Sequence, residues 1–283
     1  MTYLITGATG NIGSLVVERF IARGERPRVF ARDAVKARER YGQRVEIFSG
    51  DLADAASLAP ALDGADTLFL LNSGPDLGRR DAGAAYAAKA AGVKCVVKLS
   101  SYDAREQNVG TGVWHAEGEA AIRASGVPFT FVQPAGFMSN ALWWAQSIKA
   151  EGVVRSSTGD GKIPFIHPAD IADVAVEALA SSRYTGESLP VTGPQALSYS
   201  EMTAKIGAAI GRSLRFQAIS DEEARQQQIA WGAPEALVRA RLSIFRAIRE
   251  GRLAAVTDTV ERVLGRKPIA FDQWAIENAA GFR

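Results

Sequence analysis

Apolar residues recur along this chain in two rhythms. The run Tyr3-Leu4-Ile5 leads into glycines at 7, 10 and 13, and Leu15, Val16, Val17, Phe20 and Ile21 then return at helical spacing. That order predicts a strand, a tight turn and an amphipathic helix. The alternation continues, with strands expected over 27–31, 45–48, 67–71, 94–99 and 129–133 and helices over 34–41, 55–62, 79–91 and 113–125. Strict strand–helix alternation calls for a parallel sheet covered on both faces. Beyond Pro134 the rhythm loosens. An aromatic helix start falls in 136–149, extended pieces at 162–166 and 188–191 flank a helix over 168–180, and helices follow over 198–210, 221–231, 234–250, 257–264 and 271–279. The expected fold is α/β: a Rossmann-like doubly wound sheet over 1–134, with a smaller, mainly helical lobe over 135–283 partly integrated with it. Its ligand crevice should lie at the carboxyl ends of the strands.

Composition narrows the classes. With 283 residues, 47% of them hydrophobic, the chain can bury a sizeable core, and 33 Lys+Arg against 31 Asp+Glu leave a formal charge of only +2. Nothing in that balance steers the protein to nucleic acid or to an anionic membrane. Cys95 is the single cysteine and sits in an apolar run, which excludes an intramolecular disulfide and reads as a buried strand residue. No stretch approaches the roughly 20 apolar residues needed to cross a bilayer. The first strand occupies the N-terminus, so a cytoplasmic location is the expectation. No metal site is expected.

The glycine turn carries the first chemistry. Gly7-Ala8-Thr9-Gly10-Asn11-Ile12-Gly13 lies between a strand and a helix, where glycines permit a tight turn and close approach of the main chain to a pyrophosphate. Free N–H groups at the helix start then face the anion. The spacing is G-x-x-G-x-x-G, one residue off the usual fingerprint. Gly7, Thr9, Gly10, Asn11, Ile12 and Gly13 are therefore the candidate cofactor loop. After the second strand comes Arg32, a fork suited to the extra phosphate of NADP, followed at once by Asp33, which keeps NAD open. Asp51 and Leu52, after the third strand, should meet the adenine. Leu71, Asn72 and Ser73 should run along the far side of the cofactor, and Ser100 and Tyr102 should border the nicotinamide. NADP(H) is the expected cofactor.

Many reductases on such a sheet use a Tyr with a Lys four positions later as proton donor. None of the six tyrosines has that partner. The helix over 113–125 offers His115 instead, either as the catalytic acid or as a structural or substrate contact. His167 stands before Pro168 in what reads as a capping turn.

Taken together, Gly7 to Gly13, Phe30-Ala31-Arg32-Asp33, Gly50-Asp51-Leu52, His115-Ala116-Glu117-Gly118-Glu119 and the segment from Phe129 to Asn140 resemble the NmrA-like branch of atypical short-chain dehydrogenases. Within it, the chain is similar to NAD(P)H quinone reductases and triphenylmethane-dye reductases. Pro168-Ala169-Asp170-Ile171-Ala172 and Val191-Thr192-Gly193-Pro194 extend the likeness over nearly the whole chain. Such proteins often carry Arg before the Pro where this chain has Gln133. The resemblance implies hydride transfer from NADPH to a small, flat, electron-poor acceptor such as a quinone or dye. Tyr102, Phe137, Met138, Asn140, Trp143 and Trp144 are the candidate acceptor pocket, and a homodimer is the assembly to test. A second reading is a redox sensor in which NADP(H) occupancy alters a protein surface. A third is reduction of a ketone or imine with His115 as acid.

Overall fold

The computed structural model describes residues 1–106 and 109–283. Its first half repeats one unit: β1 (Tyr3–Thr6), α1 (Asn11–Ala22), β2 (Arg28–Ala31), α2 (Ala34–Tyr41), β3 (Glu46–Ser49), α3 (Ala59–Leu62), β4 (Thr67–Leu70), α4 (Leu77–Ala90), β5 (Cys95–Leu99), α5 (Gly112–Ser125) and β6 (Phe129–Pro134). The second half contains α6 (Ala145–Glu151), β7 (Val153–Ser156), β8 (Lys162–Ile163), α7 (Pro168–Ala180), β9 (Ser188–Val191), β10 (Leu197–Ser198), α8 (Tyr199–Ile210) and β11 (Arg215–Ala218). It ends with α9 (Asp221–Ala230), α10 (Glu235–Arg249), α11 (Thr259–Leu264) and α12 (Phe271–Glu277).

The main sheet has seven strands in the order β3-β2-β1-β4-β5-β6-β9, and every neighbouring pair is parallel. Alternate side chains go to opposite faces. Ile5, Val29, Phe69 and Val97 meet Val16, Val17 and Phe20 of α1 and Ile171, Val174 and Ala175 of α7 on one side. Leu4, Phe30, Leu68, Val96 and Phe131 meet Leu58, Ala84, Ala85, Ala88 and Ile122 on the other. A third cluster, including Met138, Ile148, Val154, Tyr199, Ile206 and Trp274, forms the core of the C-terminal lobe. No helix among the described residues is long and apolar enough to cross a membrane.

Three features depart from the sequence reading. The piece at 188–191 is the seventh strand of the main sheet, with Leu189 and Val191 buried; as an edge strand it tolerates Pro190, which cannot donate to a ladder. The helix expected over 55–62 is a 3-10 turn, Ala55–Leu58, running into α3, and the one over 136–149 is a 3-10 segment, Met138–Trp144, running into α6. Two small pairings, β7 with β11 and β8 with β10, join segments of the lobe distant in sequence.

Candidate functional site

Strand order reverses between β1 and β4, so their connections leave in opposite directions and open a cleft at the carboxyl ends. The glycine turn forms one lip. Gly7 has φ of 62°, in the left-handed region, and a Cβ there would stand 2.8 Å from Leu71 Cδ2. A Cβ on Gly13 would lie 2.2 Å from the Gly7 carbonyl oxygen, so Gly13 is there to let α1 pack on its own turn. Gly10 differs. Its added Cβ would meet only the Gly7 oxygen, at 3.2 Å, so the space beside it belongs to the cleft. Gly10 is also the N-cap of α1, with no side-chain cap and no acidic residue in the first turn. The free amides there suit an anion. The Thr6 hydroxyl accepts from the Leu71 amide at 2.8 Å and donates to the Phe69 or Leu71 carbonyl, both at 3.1 Å, which pins the two lips together.

The cleft opens into one cavity of about 430 Å³. Gly10, Asn11, Ile12, Leu71, Asn72, Ser73 and Ser100 line its nucleotide end, while Tyr102, His115, Phe137, Asn140, Trp143 and Trp144 line the far end. Asn11 Nδ2 donates to Ser139 Oγ at 2.8 Å and so ties the two ends. The remaining candidates lie elsewhere. Arg32 is exposed just past β2 with no partner among the described residues, whereas Asp33 caps α2 by accepting from the Lys36 amide at 2.9 Å. Asp51, exposed, accepts from the Ala53 amide at 2.9 Å, Leu52 packs against the α3–α4 face, and Thr9 is half-buried. Met138 is a correction: it is 1% exposed within the lobe core and does not line the cavity, because its turn of 3-10 helix faces inward.

Beneath the cavity wall lies a polar network that no sequence motif announced. Lys98 and Asp81 are both wholly buried and form an ion pair between Nζ and Oδ2. Asp81 Oδ1 accepts from Asn72 Nδ2 at 2.9 Å, leaving the buried Asn72 Oδ1 without a partner. Gly118 makes room, since a Cβ there would stand 2.2 Å from Asp81 Oδ2. His115 lies close enough to Lys98 to feel its charge. Burial, and then that charge, hold the imidazole well below its ordinary pKa of 6.5, so it is neutral near pH 7. One turn further along α5, Glu119 accepts from Ser100 Oγ at 2.5 Å and from Gln133 Nε2 at 2.7 Å. The Gln133 found in place of Arg is thus a buried partner of Glu119. His167 caps α7 through Nδ1 and meets Glu277 through Nε2.

The far wall also contains residues the sequence reading left unassigned: Gln228 and Trp231 from α9 and its end, and Leu237, Arg241, Ile244 and Phe245 from α10. The spacing of four, three and four from Leu237 to Arg241, Ile244 and Ile248 is one helix face, a signal available in the sequence but not readable as cavity lining without the packing. Among the described residues no cluster of His, Cys, Asp and Glu could hold a metal.

A parallel doubly wound sheet with an uncapped glycine turn at its switch point defines a dinucleotide-binding α/β protein of the Rossmann class. Sequence comparison places it more closely. A family model described as NAD(P)H-binding matches residues 7–182, and the chain belongs to that family. It is 39% identical to the NAD(P)H azoreductase of Xenophilus azovorans over 99% of this chain and 98% of that one. It is 38% identical to the (4-alkanoyl-5-oxo-2,5-dihydrofuran-3-yl)methyl phosphate reductase of Streptomyces griseus over 99% and 98%. The fold superposes on NADPH-dependent quinone oxidoreductase QOR2 of Escherichia coli, crystallised with NADPH, with a TM-score of 0.88, 24% identity and coverage of 98% and 99%. The chain is an NAD(P)H-dependent oxidoreductase of the NmrA-like type, and its cofactor is a nicotinamide dinucleotide. The turn fits one: free helix-start amides and an open flank at Gly10 on one lip, and the unpartnered Asn72 oxygen on the other, border the same cleft.

Proposed function

We propose that the protein is an NADPH-dependent reductase that passes hydride directly to a flat, electron-poor acceptor, a quinone or an azo or cationic dye. One observation carries this reading: a single cavity runs from the uncapped turn of α1 to an aromatic wall and, among the described residues, presents no tyrosine–lysine proton-donor pair. The Ser100 hydroxyl is committed to Glu119. His115 is neutral, Lys98 is bound to Asp81 behind the wall, and Tyr102 has no lysine four residues on. An unactivated ketone would need such a donor. A quinone gains aromatic stabilisation on reduction and can take its proton from water.

The bound cofactor supplies the hydride. The amides of α1 hold its pyrophosphate, Arg32 takes the phosphate that distinguishes NADP, and Asp33, used as a cap, leaves that choice to Arg32. Phe137, Trp143 and Trp144 stack the acceptor, and Asn140 orients it. Catalysis is then largely positioning in a water-poor space. The relative named for azo reduction and the fold match named for quinone reduction agree with this acceptor class. The test is a screen of NADPH oxidation against quinones, dyes and simple ketones. The reading expects turnover with the first two only; turnover confined to ketones, or none at all, would overturn it.

A further inference from the structure

Among the described residues, the acceptor end of the cavity contains one cation with no counter-charge. Arg241 lies on the cavity face of α10, between Leu237 one turn before and Ile244 and Phe245 one turn after, where helical spacing calls for an apolar residue. Its guanidinium lies 4.6 Å from the Trp143 ring centroid, and burial lowers its pKa. No carboxylate pairs with it among the described residues. The neighbouring arginines behave differently. On the same helix Arg239 meets Glu235, and Arg246 and Arg249 meet Asp221. Arg155, which also lines the cavity, is bound to Glu151. Asp103, the cavity's acidic residue, turns Oδ2 to the Gly112 amide at 3.1 Å, and burial pushes its carboxyl up. A second orphan lies on the same wall, on α9. Gln228 is 3% exposed, lines the same space, and has hydrogen bonds at neither side-chain atom.

Half-burying a cation with no carboxylate beside it, and fully burying an amide with no hydrogen bond, are both costly, and such groups in a ligand cavity are satisfied by the ligand. We infer that the acceptor is an aromatic compound bearing an anionic group, a sulfonate, carboxylate or phosphate ester, seated between Arg241 and Gln228 with its ring against Trp143. A guanidinium fork and an amide N–H together match the oxygens of such a group. This rests on the reductase reading in naming the ligand an acceptor, but the charge preference does not depend on turnover.

The experiment uses the full chain with NADP bound. First, naphthalenesulfonate and uncharged naphthalenemethanol, neither reducible here, are titrated against wild type, Arg241→Met, Arg241→Lys and Gln228→Leu. Wild type should bind the sulfonate at least about tenfold more tightly than the alcohol. Arg241→Met should erase that preference, Gln228→Leu reduce it and Arg241→Lys retain part of it, and added salt should weaken only the sulfonate. Second, KM is compared for a naphthoquinone sulfonate and its parent quinone, and Arg241→Met should raise the first at least about tenfold more than the second. Equal affinity of wild type for the two naphthalenes, or equal losses on both in Arg241→Met, overturns the anionic seat. If the sulfonate preference holds while neither quinone turns over, the seat stands and the reductase reading falls.

Discussion

At the nucleotide end of the cavity the wall is largely backbone: the Gly7–Gly13 turn, the first amides of α1 and the strand-end loops at 71–73 and 100. At the acceptor end it is side chains from many separate places, among them Tyr102, His115 of α5, the 3-10 segment after β6, Arg155 of β7, the start of α8, α9 and α10. Backbone walls are set by strand order and glycine placement, and so recognise what every dinucleotide has in common. Side-chain walls vary with each residue, and so decide which acceptor enters. A fold can therefore keep one cofactor while changing its acceptor.

That contrast breaks most severely at the hidden support of the nucleotide end. Asp81→Ala leaves Lys98 buried and unpaired, which should cost about 3–5 kcal/mol of stability. The double change Asp81→Leu with Lys98→Met should recover most of it, read from denaturant midpoints. A loss below about 1 kcal/mol would mean that the pair is no structural anchor.

Cofactor choice gives the next effect. Arg32→Asp should weaken NADPH by about 1.5–3 kcal/mol while sparing NADH, measured by titration. Wild-type protein that binds NADH as tightly as NADPH would remove Arg32 from that role.

The smallest effect is one of pH. His115 is held below 6.5 by burial and by Lys98. Unfolding frees it, so below about pH 6.5 the unfolded chain takes up a proton that the folded chain refuses. The stability that neutral His115 contributes is complete above that pH and falls as the pH drops, by at most about 1.4 kcal/mol per unit. His115→Gln should remove this component, as thermal melts between pH 5 and 7 would show, given the roughly 1.4 kcal/mol per unit at stake. An unchanged slope would mean that His115 titrates alike in both states.

The nucleotide end was legible in sequence because its signals are local. Strand, Gly7, Gly10 and helix lie within a dozen residues, and Arg32 follows its strand directly. The acceptor end was legible only in its first segment. Phe137, Trp143 and Trp144 announced themselves by aromatic clustering, yet Met138, among them, turned inward. Arg241 and Gln228 lie about a hundred residues further on, and only the packing of α9 and α10 over the cavity makes them neighbours of Trp143. The strand at 188–191 was missed as sheet for the same reason, since its pairing with β6 spans more than fifty residues. Lys98 escaped notice because a lone lysine in an apolar strand has no local mark; its partner Asp81 lies in the preceding helix, α4.

In the proposed reaction hydride passes to the acceptor with no proton from the protein. The most direct measurement is single-turnover oxidation of bound NADPH by a simple quinone, followed from the nicotinamide absorbance in wild type and in His115→Ala. The account predicts rapid oxidation in both, with the variant slowed less than about tenfold; a loss of about a hundredfold or more, the usual contribution of a general acid, would contradict it.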